Sequence, residues 1–206
     1  MYLVKTPKLI QNIFPNYLWR KSTEEKILYL TFDDGPIPDV TPWVLKQLKE
    51  YNAKGTFFCV GDNVKKHPEI FEAVKNQGHS VGNHTMHHLN GWTTEKEAYL
   101  KDIEDCAQLV DSNLFRPPYG RLKPKQASFL QQHYNIVMWD VLSGDFDEKI
   151  SGEDCFQNVL KHTENGSIIV FHDSLKAFSR LEYLLPRVLA HYSKLGYVFG
   201  KISSKR

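Results

Sequence analysis

Two adjacent aspartates, Asp33 and Asp34, sit before Gly35-Pro36, and two histidines, His84 and His88, stand four residues apart in Asn83-His84-Thr85-Met86-His87-His88. One carboxylate and two imidazoles make a donor set suited to a divalent ion such as Zn²⁺, with coordination positions left for water or substrate. A second carboxylate beside the ligand can act as general base on metal-bound water, whose pKa the cation lowers. A further histidine, His172 in Val170-Phe171-His172-Asp173, can protonate a leaving group. Together these parts describe metal-assisted hydrolysis. Each alone has a plainer reading. An aspartate pair before Gly-Pro can bond its own turn backbone, and nine histidines produce an i,i+4 pair by accident. A histidine closing an apolar run can be a satisfied core residue. Spacing of four predicts that His84 and His88 face the same way on one helical turn. His67, His79, His87 and His133 read as structural or exposed.

Such residues need a scaffold that brings distant segments to one place. Seven short runs rich in β-branched and aromatic residues read as strands: 26–32, 55–60, 79–83, 113–116, 134–139, 167–172 and 196–201. Several are apolar on both faces, as parallel strands covered by helices are. Between them lie helix signals. Thr41-Pro42 reads as an N-cap with proline at the first helical position. His67-Pro68-Glu69 opens a second helix closed by Gly78, and Thr94 with Glu97 forms a capping box. Further helices are expected near 122–132, 152–163 and 180–194, the last bent or interrupted at Pro186. Residues 6–20 read as a short N-terminal helix whose Leu9, Ile10, Ile13 and Phe14 cover one end of the domain. Strand–helix alternation implies a parallel α/β structure, barrel or doubly wound. In such folds chemistry gathers at the carboxyl ends of strands. The expected strand ends carry Asp33-Asp34, His84 to His88, Arg116-Pro117-Pro118-Tyr119-Gly120, Asp140 with Asp145, and His172-Asp173.

Composition narrows the function classes. At 206 residues with 41% apolar content and no linker-like stretch, the chain makes one large domain and is not disordered. Lys+Arg number 26 against 24 Asp+Glu, and without a basic stripe there is no signature of nucleic-acid binding. No apolar run approaches the ~18 residues of a membrane span. Three scattered cysteines with no C-x-x-C pair argue against a disulfide framework or a thiolate zinc site. The first five residues are too short in apolar character for a signal-peptide core. Cytoplasm is the expected location, or an extracytoplasmic one if the true start lies upstream.

The ordered set of these segments resembles the polysaccharide deacetylases, the NodB-homology or chitin-deacetylase-like family, with five motif regions spread over residues 31–173. The resemblance implies a distorted seven-stranded (β/α) barrel with parallel strands and outer helices. With the N-terminal helix read above and a polar tail, the chain divides into a helical cap of the same domain over residues 1–25, the catalytic domain over 26–202 and a frayed tail over 203–206. Thr31 to Pro36 matches T-F-D-D-G-P, which makes Asp33 the catalytic base and Asp34 a metal ligand. His84 to His88 is similar to H-[S/T]-x-x-H and supplies the other two ligands. Arg116 to Gly120 matches R-P-P-Y-G, implying that Arg116 orients Asp33 and the Tyr119 N–H holds the tetrahedral oxyanion. His172 corresponds to the general acid and Asp145 to the aspartate that orients it.

Two motifs depart from the family pattern: Leu142 and Phe146 stand where D-x-x-D-W has its first aspartate and its tryptophan, and Val170 replaces a leucine. Phe146, Val170 and Pro117 are the expected substrate pocket, still apolar enough for an acyl methyl. The implied cofactor is one divalent ion, Zn²⁺ first, with Co²⁺, Mn²⁺ or Ni²⁺ as alternatives. The implied substrate is an N-acetylated glycan or amino sugar, on which Trp92 and Tyr119 could stack. A carbohydrate-binding module without turnover, or a non-haem iron oxygenase built on the same Asp/His/His set, are the competing readings.

Overall fold

The computed structural model describes residues 2–203. Its strands are β1 (Ile27–Asp33), β2 (Thr56–Cys59), β3 (Ser80–Asn83), β4 (Leu114–Phe115), β5 (Asn135–Ile136), β6 (Val141–Leu142), β7 (Ile168–His172) and β8 (Val198–Gly200). Seven lie in the order β5-β4-β3-β2-β1-β7-β6, and β8 pairs with the first half of β1. Every strand pairing is parallel. The sheet curls into a half-barrel with helices around it. Although β5 and β6 are its two edges, only residues 137–140 separate them. The expected strand 134–139 therefore runs on to Leu142 with a bend: its start joins β4 and its end joins β7. The seven runs read from the sequence each hold a strand, and β6 lies beyond the run expected over 134–139.

The remaining gap is covered by the N-terminal segment, as an exposed sheet edge requires. Leu18 bridges Val137 and Lys5 bridges Val141. Asp140, expected among the mouth residues, anchors this segment instead. Fully buried, it pairs with Lys5 Nζ at 2.8 Å and accepts from Ser167 Oγ at 2.6 Å. The helix expected over 6–20 is confined to α1 (Lys8–Ile13). Pro15 stops it, because the residue before a proline disfavours the α region and Phe14 adopts φ −120°, ψ 66°. Of its apolar residues only Ile10 packs against a core cluster, while Leu9, Ile13 and Phe14 are exposed. Leu18 and Trp19, beyond the helix, supply the apolar contacts instead. Of the frayed tail expected at 203–206, all but Ser203 lie outside the described residues.

The outer layer holds α2 (Val40–Glu50), α3 (Gly61–Lys66), α4 (Pro68–Asn76), α5 (Lys96–Ala107), α6 (Pro124–Leu130), α7 (Gly152–His162) and α8 (Phe178–Lys194). The six-residue α3 was not anticipated, and α8 continues across Pro186. Two expected caps are absent. α2 starts at Val40, so Thr41 lies inside its first turn and its hydroxyl accepts from the Ile37 N–H. α5 starts at Lys96, too late for Thr94 and Glu97 to form a box, and the Thr94 hydroxyl donates to the Asn90 carbonyl.

Strand alternation decides what faces the mouth. Leu28, Leu30 and Phe32 of β1 join the large core shared with α2 and α8, where Phe32 stacks on Phe57 at 4.9 Å and on Phe171 at 5.6 Å. The period of two then turns Tyr29, Thr31 and Asp33 to the barrel interior. By the same rule β7 sends Ile169 and Phe171 outward and Ile168, Val170 and His172 inward. Asp33 and His172 are register partners across the β1–β7 ladder, so their side chains emerge as neighbours at its carboxyl end.

Candidate metal and catalytic site

Five segments deliver polar side chains to this mouth: the ends of β1 and β7 and the loops after β3, β4 and β6. Asp34 follows β1 with φ 88°, a left-handed conformation uncommon for a non-glycine residue. Its carbonyl accepts from Asn63 Nδ2 at 2.7 Å, and its N–H donates to the Phe58 carbonyl. Asp34 Oδ1 lies 3.2 Å from His88 Nε2 and 3.9 Å from His84 Nε2. Donor atoms of Asp34, His84 and His88 all fall within 4.8 Å of one another.

The two histidines do not lie on a helical turn, as their spacing had implied. Residues 84–88 are irregular, with positive φ at Thr85 (64°) and His88 (55°), and these two left-handed residues fold the loop so that the imidazoles converge. Asp102 of α5 holds that loop: its carboxylate accepts the N–H groups of Met86 and His87 and meets His87 Nδ1 at 2.5 Å. Asp102 was missed in the sequence. Two of its partners are backbone N–H groups, which leave no signal in residue type.

His84 is buried, and its Nδ1 sits 2.8 Å from the Arg116 carbonyl. A carbonyl only accepts, so Nδ1 carries the proton and Nε2 keeps a free lone pair facing Asp34. Burial drives its pKa down to about 4, against the opposing pull of Asp33, so the ring is neutral near pH 7. Desolvation opposes ionisation of Asp34, but the His88 hydrogen bond and the neighbouring imidazoles outweigh it and hold the carboxyl below the ordinary carboxylate range. A neutral imidazole lone pair and an ionised carboxylate are the forms that bind a cation.

Asp33 is buried beside them. Arg116 Nη1 donates to Asp33 Oδ1 at 2.7 Å and to Thr31 Oγ1 at 2.8 Å, while Nε and Nη2 donate to the Val137 and Met138 carbonyls. Its guanidinium lies 4.2 Å over the Phe58 ring and has no exposure to water. Burial lowers the Arg116 pKa somewhat, with Asp33 acting against it. Arg116→Ala should cost about 3–5 kcal/mol, because it strands a buried carboxylate. Urea denaturation of the two proteins measures the loss.

On the neighbouring strand, His172 Nδ1 pairs with Asp145 Oδ1 at 2.7 Å, and the His172 N–H donates to Asp145 Oδ2 at 2.8 Å. Burial opposes charge on His172, but Asp145, with help from Asp34 and Asp33, carries its pKa up to about 9. Two of the expected pocket residues, Phe146 and Val170, lie beside His172. The Phe146 ring lies edge-on to His172 at 5.3 Å, and Val170 is buried two residues before it on the same face of β7. Pro117 is buried next to Arg116. Tyr119 adopts φ 61° in the turn after Pro118, exposed, with its ring 4.8 Å from His88. Trp92 is exposed too, beneath the Arg121 guanidinium at 4.9 Å. Thr31, read only as part of a motif, also joins Arg116 to β7 through its hydroxyl bond to the Ile169 carbonyl.

A parallel (β/α) half-barrel whose mouth sets an Asp/His/His group able to hold a metal ion beside a second carboxylate and a third imidazole has the make-up of a hydrolase. Comparison with known proteins is more specific. The chain belongs to the polysaccharide deacetylase family, whose model matches residues 20–136. It is 33% identical over 192 residues to a peptidoglycan-N-acetylglucosamine deacetylase of Bacillus cereus, covering 90% of each chain. It is 32% identical over 162 residues to a chitooligosaccharide deacetylase of Azorhizobium caulinodans, covering 75% of this chain and 77% of the relative. Other relatives are longer, and this chain spans 55% of one and 39% of another. The crystal structure of the Bc1960 peptidoglycan N-acetylglucosamine deacetylase, in complex with 4-naphthalen-1-yl-N-oxidanyl-benzamide, superposes with a TM-score of 0.87. Sequence identity is 29%, with 98% of this chain and 100% of that one covered.

Proposed function

We propose that this protein is a metal-dependent N-deacetylase that hydrolyses the acetamide of N-acetylated amino sugars in peptidoglycan or chitin-type glycans. The observation that carries this reading is the register pairing of Asp33 on β1 with His172 on β7, beside an Asp34 whose carboxylate meets His84 and His88. The donor set fits a divalent ion of the zinc type: one ionised carboxylate and a neutral imidazole whose tautomer is locked by the Arg116 carbonyl, with a second imidazole beside them. When bound, such an ion supplies Lewis acidity to the acetyl carbonyl and acidifies water.

The protein's own groups do the rest. Asp33, fixed in orientation by Arg116, takes a proton from the attacking water. The Tyr119 N–H, in its left-handed turn, serves the developing oxyanion, a role worth about 3 kcal/mol for a well-aimed backbone donor. His172 gives its proton to the nitrogen as the C–N bond breaks, so that acetate and a free amine leave. Asp145 holds His172 in the protonated form before that transfer. Phe146, Val170 and Pro117 form the apolar wall for the acetyl methyl, and Tyr119 and Trp92 offer ring faces to sugar units along the rim.

Acetate release from N-acetylglucosamine oligomers and peptidoglycan fragments tests the proposal. Activity should vanish after chelation and return with Zn²⁺, Co²⁺, Mn²⁺ or Ni²⁺, their order identifying the preferred ion. Metal-loaded protein that binds these glycans but releases no acetate from any of them would instead establish a binding module.

A further inference from the structure

Asp173 has no part in the chemistry above, yet it is fully buried at the mouth. Its N–H continues the β1–β7 ladder by donating to the Asp33 carbonyl at 3.1 Å. Its carboxylate turns toward the loop after β1. Oδ1 accepts the Gly35 N–H at 3.0 Å, and Oδ2 accepts the Thr41 hydroxyl at 2.6 Å. Thr41 in turn accepts the Ile37 N–H at 2.8 Å, so one carboxylate and one hydroxyl staple both sides of the Gly35–Ile37 turn. The fit is tight, since a Cβ on Gly35 would overlap the Asp173 carboxylate. Gly35 is the next residue after Asp34, whose left-handed backbone needs such support: non-glycine residues keep that conformation only where surrounding structure imposes it.

We infer that Asp173 is a positioning residue of the metal site, fixing the Asp34–Gly35 peptide so that the Asp34 carboxylate is aimed at His84 and His88. The inference rests on the reading of Asp34 as a ligand. Groups that orient a metal ligand from behind it typically change metal affinity 10–100-fold when removed.

The test is Zn²⁺ affinity of the full chain, by competition with a chromophoric chelator, alongside the thermal midpoint of the metal-free protein. Asp173→Ala should bind Zn²⁺ about 10–100-fold more weakly than wild type while remaining folded. Asp173→Asn keeps an oxygen for the Gly35 N–H and a polar partner for Thr41, and should restore near wild-type affinity. A folded Asp173→Ala protein with unchanged affinity, or an Asp173→Asn protein as weak as Asp173→Ala, would overturn the inference. Should Asp173→Ala fail to fold, Thr41→Val carries the same test through the other half of the staple: weakened affinity supports the inference, and wild-type affinity overturns it. Asp34→Asn separates the two levels of argument, because wild-type affinity in that variant would remove Asp34 from the ligand set itself.

Discussion

Asp33→Asn should abolish measurable acetate release while leaving the metal in place. A positioned general base contributes about 10²–10⁴-fold, and an amide at this position cannot take the proton. The ligand atoms of Asp34, His84 and His88 belong to other residues, so bound metal per chain should stay at the wild-type level by elemental analysis. The substitution also acts on stability, because Arg116 Nη1 loses its ionised partner at 2.7 Å in a site closed to water. Assays therefore belong well below the lowered thermal midpoint, with the folded fraction checked by circular dichroism. Retained turnover in folded, metal-loaded Asp33→Asn protein would remove Asp33 from the base role. Loss of metal together with activity would make Asp33 a ligand, contrary to its pairing with Arg116.

The parts of this site that could be read from the sequence are those held by strand ends. The apolar runs around 26–32 and 167–172 fix two parallel strands, and alternation along them decides that Asp33 and His172 face the interior with Phe32 and Phe171 turned outward. The convergence of His84 and His88 was foreseen for a different reason from the one at work. A four-residue spacing suggests a helical turn, but two left-handed residues, Thr85 and His88, do the folding, and conformations of this kind have no periodicity to read. Asp140 shows the opposite failure. It sits in the bend between β5 and β6 where a mouth residue was expected, yet it anchors the N-terminal segment through Lys5 and Ser167, partners 135 and 27 residues away. Asp102 was not singled out, and Asp173 was read only as a polar strand end with no role, for a related reason. Each acts by accepting backbone N–H groups from loops remote in the chain, and the identity of a backbone donor leaves no trace in residue type.

Asp145→Asn should move the alkaline limb of the pH–rate profile downward by more than two pH units. A general acid works from its protonated form, which is populated below its pKa, so wild-type kcat/KM should decline as His172 loses its proton toward pH 9. Burial alone would push the imidazole below its ordinary value of 6.5, and the Asp145 carboxylate, touching both Nδ1 and the backbone N–H of His172, is the main force in the other direction. An asparagine there brings no charge, and its amide can satisfy one of those two donors but meets the other with a donor of its own. The limb should then fall below pH 6.5, with the variant nearly silent at pH 8 and partly recovered in acid. His172→Ala should lose about 10²–10⁴-fold across the range and show no limb from this group, which ties the limb to His172. An Asp145→Asn profile that kept the wild-type alkaline limb would mean that the proton reaches the leaving amine from elsewhere, leaving the His172–Asp145 pair to a structural role at the end of β7.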